Sequence, residues 1–154
     1  MKERDSLWLR RRDIILAYTF LRIVLGINFF NHGFTRIGDI PGFAQSMVDI
    51  FQNTFVPEVL VRVPGLLVPI VELIGGLLVT FGLFTQAALI TLFGLMIVLM
   101  YGVTLVQNWD AAASQLIYCL VLFILVASNG FNTFSLDTFI SRRKSSSKAG
   151  VSKN

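Results

Sequence analysis

One cysteine and one histidine are all that this chain of 154 residues offers. Cys119 alone cannot form an intrachain disulfide, nor the dithiol pair that disulfide exchange requires. His32 alone cannot supply both axial ligands of a bis-histidine haem, and no group of residues has the spacing of a zinc site, so no metal is expected. Charge is scarce too. Asp, Glu, Lys and Arg make up 14% of the chain, against about 25% in ordinary soluble domains. No glycine-rich nucleotide loop is present, because Gly75 and Gly76 lie inside the apolar stretch VELIGGLL, where glycine serves packing. The formal net charge of +4 does not point to nucleic acid, since no basic residues are interleaved with exposed aromatics in a folded module.

What the chain does have is apolar length. It is 55% hydrophobic with a mean hydropathy of +0.72, too apolar for a soluble globule. Segments 13–35, 62–84, 87–107 and 111–131 each approach or exceed the roughly 20 residues needed to span a bilayer. The expected fold is all-α, a polytopic membrane four-helix bundle over residues 13–140. Residues 1–12 form a basic N-terminus, and residues 141–154 a basic, disordered, lipid-attracted tail. The first span follows Arg10, Arg11 and Arg12, is longer than a signal-peptide core, and lacks a small-residue cleavage site, so it reads as an uncleaved anchor. Basic residues cluster before the first span and after the last, which places both termini in the cytoplasm. The tight connection at Thr85–Gln86 is then cytoplasmic, and the 36–61 segment lies on the far side.

Two charges interrupt the apolar runs. Glu72 lies in the middle of a stretch, 63–84, that carries no other charge, and Arg22 lies in the first span. An ionisable group at that depth must face the bundle interior or a wet cavity and have a partner. Counted from the cytoplasmic ends of their spans, Arg22 sits about 13 Å deep and Glu72 about 18 Å deep at 1.5 Å per residue. Similar depth on consecutive antiparallel helices predicts a buried Arg22–Glu72 pair. Such a pair serves either as a structural clamp or as a protonatable carboxyl on a ligand or proton path.

Neighbouring residues reinforce the inward orientation. Gly65, Pro69, Gly75 and Gly76 lie on or beside the face of Glu72, and Gly26 and Gly33 share that of Arg22, where small side chains allow close helix approach. In the fourth span Gln115, Tyr118, Cys119 and Asn129 form one stripe, and in the third Thr91, Gly94 and Gly102 do the same. This polar lining is satisfied either by interhelical hydrogen bonds or by a bound polar-headed molecule. His32, one turn after Asn28, lies near the outer end of the first span. Between the first two spans, GFAQSMVDIFQNTF puts Phe43, Met47, Ile50 and Phe51 or Phe55 at helical spacing, a short amphipathic interfacial helix. It acts either as a surface anchor or as a lid over a cavity that opens outward. After Asn129–Gly130, a short amphipathic turn over 136–140 starts at Ser135 or Asp137.

The order of these features resembles the DoxX family of small bacterial four-helix membrane proteins. The residues that carry the resemblance are Arg22, then Asn31-His32-Gly33, Gly42-Phe43, Glu72 with Gly75-Gly76, Gly82-Leu83 with Thr85, Trp109, Asn129-Gly130 and Ser135-Leu136-Asp137. It spans roughly residues 17–140. The chain departs from the family pattern at two places. The basic residue that usually follows His-Gly is represented by Arg36, three positions on, and Gln115 stands where an acidic residue is frequent. The resemblance implies a membrane subunit of the bacterial cytoplasmic membrane, associated with quinone-linked oxidation of sulfur compounds or with thiol systems. It implies no intrinsic cofactor, a quinone as the ligand, and a redox partner subunit. Relatives that carry a cysteine pair in a four-helix bundle are a poor match, so catalysis by this chain alone is not expected.

Two readings follow. In one, Arg22, His32, Glu72, Gln115 and Tyr118 line a pocket for a quinone or similar head, with Arg22 and His32 donating to carbonyls and Glu72 accepting or relaying a proton. In the other, these groups are internal staples, and the protein is an anchor, an assembly factor or a small-solute transporter. The glycine faces would also permit a homodimer, and membrane lipids are partners in either case.

Overall fold

Helix follows helix along the chain, and no strand occurs among the described residues. The structure, a computed structural model, describes residues 10–151, with side chains through residue 143. The basic residues at 1–9 and Lys153 therefore lie outside the described residues. The elements are α1 (Arg11–Arg36), α2 (Ile40–Phe51), α3 (Glu58–Phe81), α4 (Thr85–Leu105), α5 (Trp109–Ala127) and α6 (Leu136–Val151). Four stretches, headed by α1, α3, α4 and α5, are long and apolar enough to cross a membrane. The protein is a multi-pass helical membrane protein.

The α1–α3 crossing fixes the register of the bundle. Gly33 lies against the backbone of Pro69 and Leu73, and Gly76 against the backbone of Gly26 and Phe30. A Cβ at either glycine would collide with main-chain atoms, so the helices meet backbone to backbone. Gly75 faces the other way, onto Leu92 of α4. Below these contacts a closed core forms from all four spans, around Leu25 and Phe29 of α1, Val79 of α3, Leu89 and Leu92 of α4, and Leu122 and Leu125 of α5.

The spans begin and end where local chemistry dictates, which differs from the hydropathy limits. α3 ends at Phe81 because Gly82 takes the left-handed conformation (φ 68°), and Leu83 N–H donates back to Leu78 O at 2.9 Å. The α3–α4 connection is therefore 82–84, and Thr85–Gln86, expected as the connection, already belongs to α4. α5 starts at Trp109 because the Asn108 side chain accepts from Ala111 N–H at 3.1 Å. α6 extends beyond the single turn expected at 136–140 and runs through Val151, so 141–151 is helical where a disordered tail was expected. Ser135 Oγ accepts from Thr138 N–H at 3.3 Å and starts it, and no Gly or Pro interrupts the stretch from Leu136 to Ala149.

α2 follows α1 after one 3-10 turn (Ile37–Asp39). Asp39 caps it by accepting from Gly42 N–H at 2.9 Å, with proline in the first turn. Its fully buried Ala44 sits on Gly65 of α3, where a Cβ would lie 2.9 Å from the Ala44 Cα. That seat turns its apolar face, Phe43, Met47 and Ile50, toward the space between the spans.

Candidate site: a cavity under α2

The bundle is packed at the end that carries the termini, with an open groove on its outside along Thr85, Asn129, Asn132 and Asp137, and is hollow at the α2 end. A cavity of about 680 Å³ lies beneath α2, bordered by α1, α3, α4 and α5. Phe29 and Met96, both buried in the core, form its floor. Its walls are mostly apolar, including Phe43, Met47, Phe51, Val68 and Leu99. Polar groups gather on one side: Arg36, His32, Glu72, Gln115 and Tyr118 all line it.

Glu72 pairs with Arg36, not with Arg22. Arg36 Nη1 donates to Glu72 Oε2 at 2.5 Å. The carboxylate side chain is 4% exposed and the guanidinium 30%. Arg36 also lies over the ring of Phe43 at 4.8 Å, a cation–π contact that ties α2 to the pair. The expected Arg22–Glu72 pair fails on register. Since Gly33 meets Pro69 and Leu73, Glu72 stands level with His32. Arg22 is ten residues below that level, about 15 Å away at 1.5 Å per residue. Arg36, one turn above His32 on the same face of α1, reaches down instead.

Arg22 serves the packed end. It is 2% exposed, donates from Nη1 to Asn132 Oδ1 and from Nη2 to the Phe134 carbonyl, each at 2.9 Å, and touches Gly82. Asn132 Nδ2 donates in turn to Thr85 Oγ1 at 2.9 Å. Asp137 completes the network: its Oδ1 accepts from Phe84 N–H at 2.8 Å, and its Oδ2 from Thr85 N–H and Oγ1 at 2.9 and 2.8 Å. It thereby caps α4 from another element. Burial pushes the Asp137 carboxyl up, but the bonds from Thr85 and Phe84 and the charge of Arg22 outweigh it and hold the group below its ordinary range. Tyr18, whose hydroxyl donates to Asn129 Oδ1 at 3.1 Å, fastens α1 to the same end.

The other sequence candidates meet at the cavity. The His32 and Tyr118 rings stand edge to face at 6.3 Å, and Tyr118 packs on Phe29 at 5.8 Å. Among the described residues neither the His32 ring nor the Tyr118 hydroxyl makes a hydrogen bond. Gln115 Oε1 is buried with no partner among them. Cys119 is half-buried and lies outside the cavity lining. Sequence reasoning missed Arg36 as the partner of Glu72. The signal was its position four residues after His32, which places both on one helix face. Sequence reasoning also gave no role to Asn132, and read Asp137 only as one of two starts of the 136–140 turn and Thr85 only as part of a connection, because all three sit in loops and at helix ends where hydropathy carries no information.

A family model, DoxX, matches residues 17–105. The chain belongs to the DoxX family. No curated protein and no solved structure matches it. The matched region of this DoxX protein holds Arg22, His32, Arg36 and Glu72, while Gln115, Tyr118 and Asp137 lie beyond it.

Proposed function

We propose that this DoxX protein is an accessory membrane subunit of a quinone-linked redox system acting on sulfur compounds or thiols, and that its cavity receives the quinone head. It resides in the bacterial cytoplasmic membrane with both termini in the cytoplasm, a reading supported by the basic residues that flank the first and last spans. The observation that carries the proposal is the cavity itself. Its 680 Å³ falls within the range of about 300–1,000 Å³ typical of small-molecule sites. An apolar wall with polar groups on one side suits a flat ring that carries oxygen atoms at its edge.

The residues present fit such a head. Arg36 and the unpartnered Tyr118 hydroxyl are donors for a carbonyl, and His32 is a donor or acceptor. Gln115 Oε1, buried without a partner, needs a donor, and the hydroxyl of a reduced head is one. A bound quinone supplies two-electron chemistry coupled to two protons. Glu72 can hold one proton: Arg36 engages its Oε2, and Oε1 makes no hydrogen bond among the described residues. Phe29 and Met96 close the floor and keep water from crossing to the terminal end. Cys119, the chain's only cysteine, cannot deliver two electrons as a dithiol, and in this reading they come from the partner subunit.

Purification in mild detergent, followed by extraction and an absorption spectrum, tests this. The expected result is quinone that copurifies with the wild type and is lost in His32→Ala and Gln115→Leu, both of which leave the Arg36–Glu72 pair intact. Well-folded protein without quinone, unresponsive to added quinone, would instead favour an anchor or solute carrier whose buried charges are structural.

A further inference from the structure

We infer that the cavity is loaded sideways from the bilayer, through a gap between α4 and the α2–α3 connection, so that its occupant is a membrane-dissolved amphiphile whose tail stays among the lipids. This rests on the proposed reading for the chemistry of the head, but not for the route. The route follows from residues that line the cavity and are also open to the outside. Val98 and Tyr101 of α4 line it and are 50% and 60% exposed, and Ile50, Phe55 and Leu60 on the opposite rim are 58%, 79% and 65% exposed.

Depth decides what they face. Val98 lies about 20 Å along α4, and Tyr101 about 24 Å, at 1.5 Å per residue. Both therefore fall inside a helix that itself spans about the 30 Å of a hydrocarbon core. At that depth an outward side chain meets acyl chains, not water. An aqueous mouth built from Ile50, Phe55, Leu60 and Val98 would leave a broad apolar rim in water at a cost that grows with its area, whereas a lipid-facing mouth carries no such cost.

The gap is narrowed at one point, where the ring of Phe51 rests on Gly102. A Cβ at Gly102 would lie 3.1 Å from Phe51 Cζ, so a larger residue must displace the ring or fill the opening. Phe51 is the last residue of α2, and this contact joins the cover of the cavity to α4. A tail leaving the cavity toward the lipid must pass beside it. Asn108 and Ser114 mark the polar alternative, a route to water beside α5.

The test uses the full protein in lipid nanodiscs and two probes: a dimethoxy-methyl-benzoquinone without a tail and the same head with a long isoprenoid tail. In Gly102→Leu, the tailed probe should weaken about tenfold while the tailless one keeps its affinity. If neither probe binds the wild type, the head-group reading is lost, and the inferred occupant with it. If both bind and Gly102→Leu changes neither, or weakens both alike, the head-group reading stands and sideways loading is overturned. A second measurement does not depend on how Gly102→Leu folds. With Val98→Trp in a Trp8→Phe/Trp109→Phe background, fluorescence should be quenched by lipids brominated in their acyl chains and spared by aqueous iodide. Quenching by iodide with no effect of brominated lipid would place the mouth in water and overturn the route.

Discussion

Arg36 reaches down from the last turn of α1 to place Nη1 on Glu72 Oε2 at 2.5 Å, and among the described residues no other arginine engages this carboxylate. Taking away one partner of a buried pair leaves an uncompensated charge, which typically costs about 3–5 kcal/mol. Arg36→Met should fall at the lower end of that range, because the guanidinium is 30% exposed and solvent screens part of the interaction. Arg36→Met/Glu72→Met should recover most of the loss, as the pair would then be replaced by apolar packing. Denaturant unfolding in detergent measures both. By contrast, Arg22→Met and Glu72→Met should be additive within about 0.5 kcal/mol, as distant sites are. Strong coupling between Arg22 and Glu72 would contradict the α1–α3 register.

Asp137 gives the packed end a pH dependence of known sign. Its carboxyl titrates below the ordinary range in the folded protein, so its contribution is fully present above the unfolded value of about 3.9 and is lost as pH falls through the folded value. Asp137→Asn should therefore lower stability by about 1–2 kcal/mol near neutral pH, the usual scale of a lost cap or charge-assisted bonds. The gap to the wild type should stay constant down to about pH 5 and narrow on further acidification. Melting curves of the two proteins from about pH 7 to about pH 3 measure the gap across that window. A gap that widens in acid would refute the assignment.

How much of this was readable beforehand depends on which force acted. The spans and the all-helical bundle were legible because hydropathy and the need to satisfy every backbone group in lipid leave little choice. His32, Glu72, Gln115 and Tyr118 were legible as inward-facing because polar groups in hydrocarbon must turn inward. The pairing was not, because depth was counted from span ends. α1 runs on past the α3–α4 connection, so that Arg22 lies beside Gly82, the residue that ends α3. The helix ends are not level: Arg22 is eleven residues into α1 yet stands beside Gly82, just past the end of α3, so it lies about three turns from Glu72 at 3.6 residues per turn. The Arg22–Asn132–Thr85–Asp137 network was hidden for a different reason: it joins α1 to loop and helix-end residues far along the chain, Asn132 being 110 positions after Arg22, and no periodic pattern encodes such a contact.

Gly82 and Arg22 should be coupled. Gly82 has φ 68°, and a Cβ there would fall on the Arg22 guanidinium. Gly82→Ala thus combines a left-handed backbone with a steric clash. It should cost more than the roughly 1–2 kcal/mol of the left-handed conformation alone. In an Arg22→Ala background the clash with the guanidinium disappears and the penalty should shrink, leaving the conformational part and the 2.6 Å approach of the added atom to Ser135 Cβ. Unfolding free energies of the four proteins of the cycle give the answer directly. Equal penalties in both backgrounds would show that the side chain of Arg22 does not occupy this position.

Glycines in the spans should divide sharply by what they face. Gly76→Ala drives a methyl into the backbone of Phe30 and Gly26, and Gly33→Ala into that of Pro69 and Leu73. Backbone cannot swing aside as a side chain can, so α1 and α3 must separate. Overpacking penalties of about 1–3 kcal/mol are then a lower bound. Gly94 on α4 has nothing within 4 Å of the same added atom. Gly94→Ala removes only the conformational freedom of glycine and should stabilise the helix by about 0.5–1 kcal/mol. Thermal melts in detergent should therefore place Gly94→Ala above the wild type and the other two well below it. The spread also tests how the spans pair, because a bundle that packed α1 against α5 instead of α3 would leave Gly76→Ala as mild as Gly94→Ala.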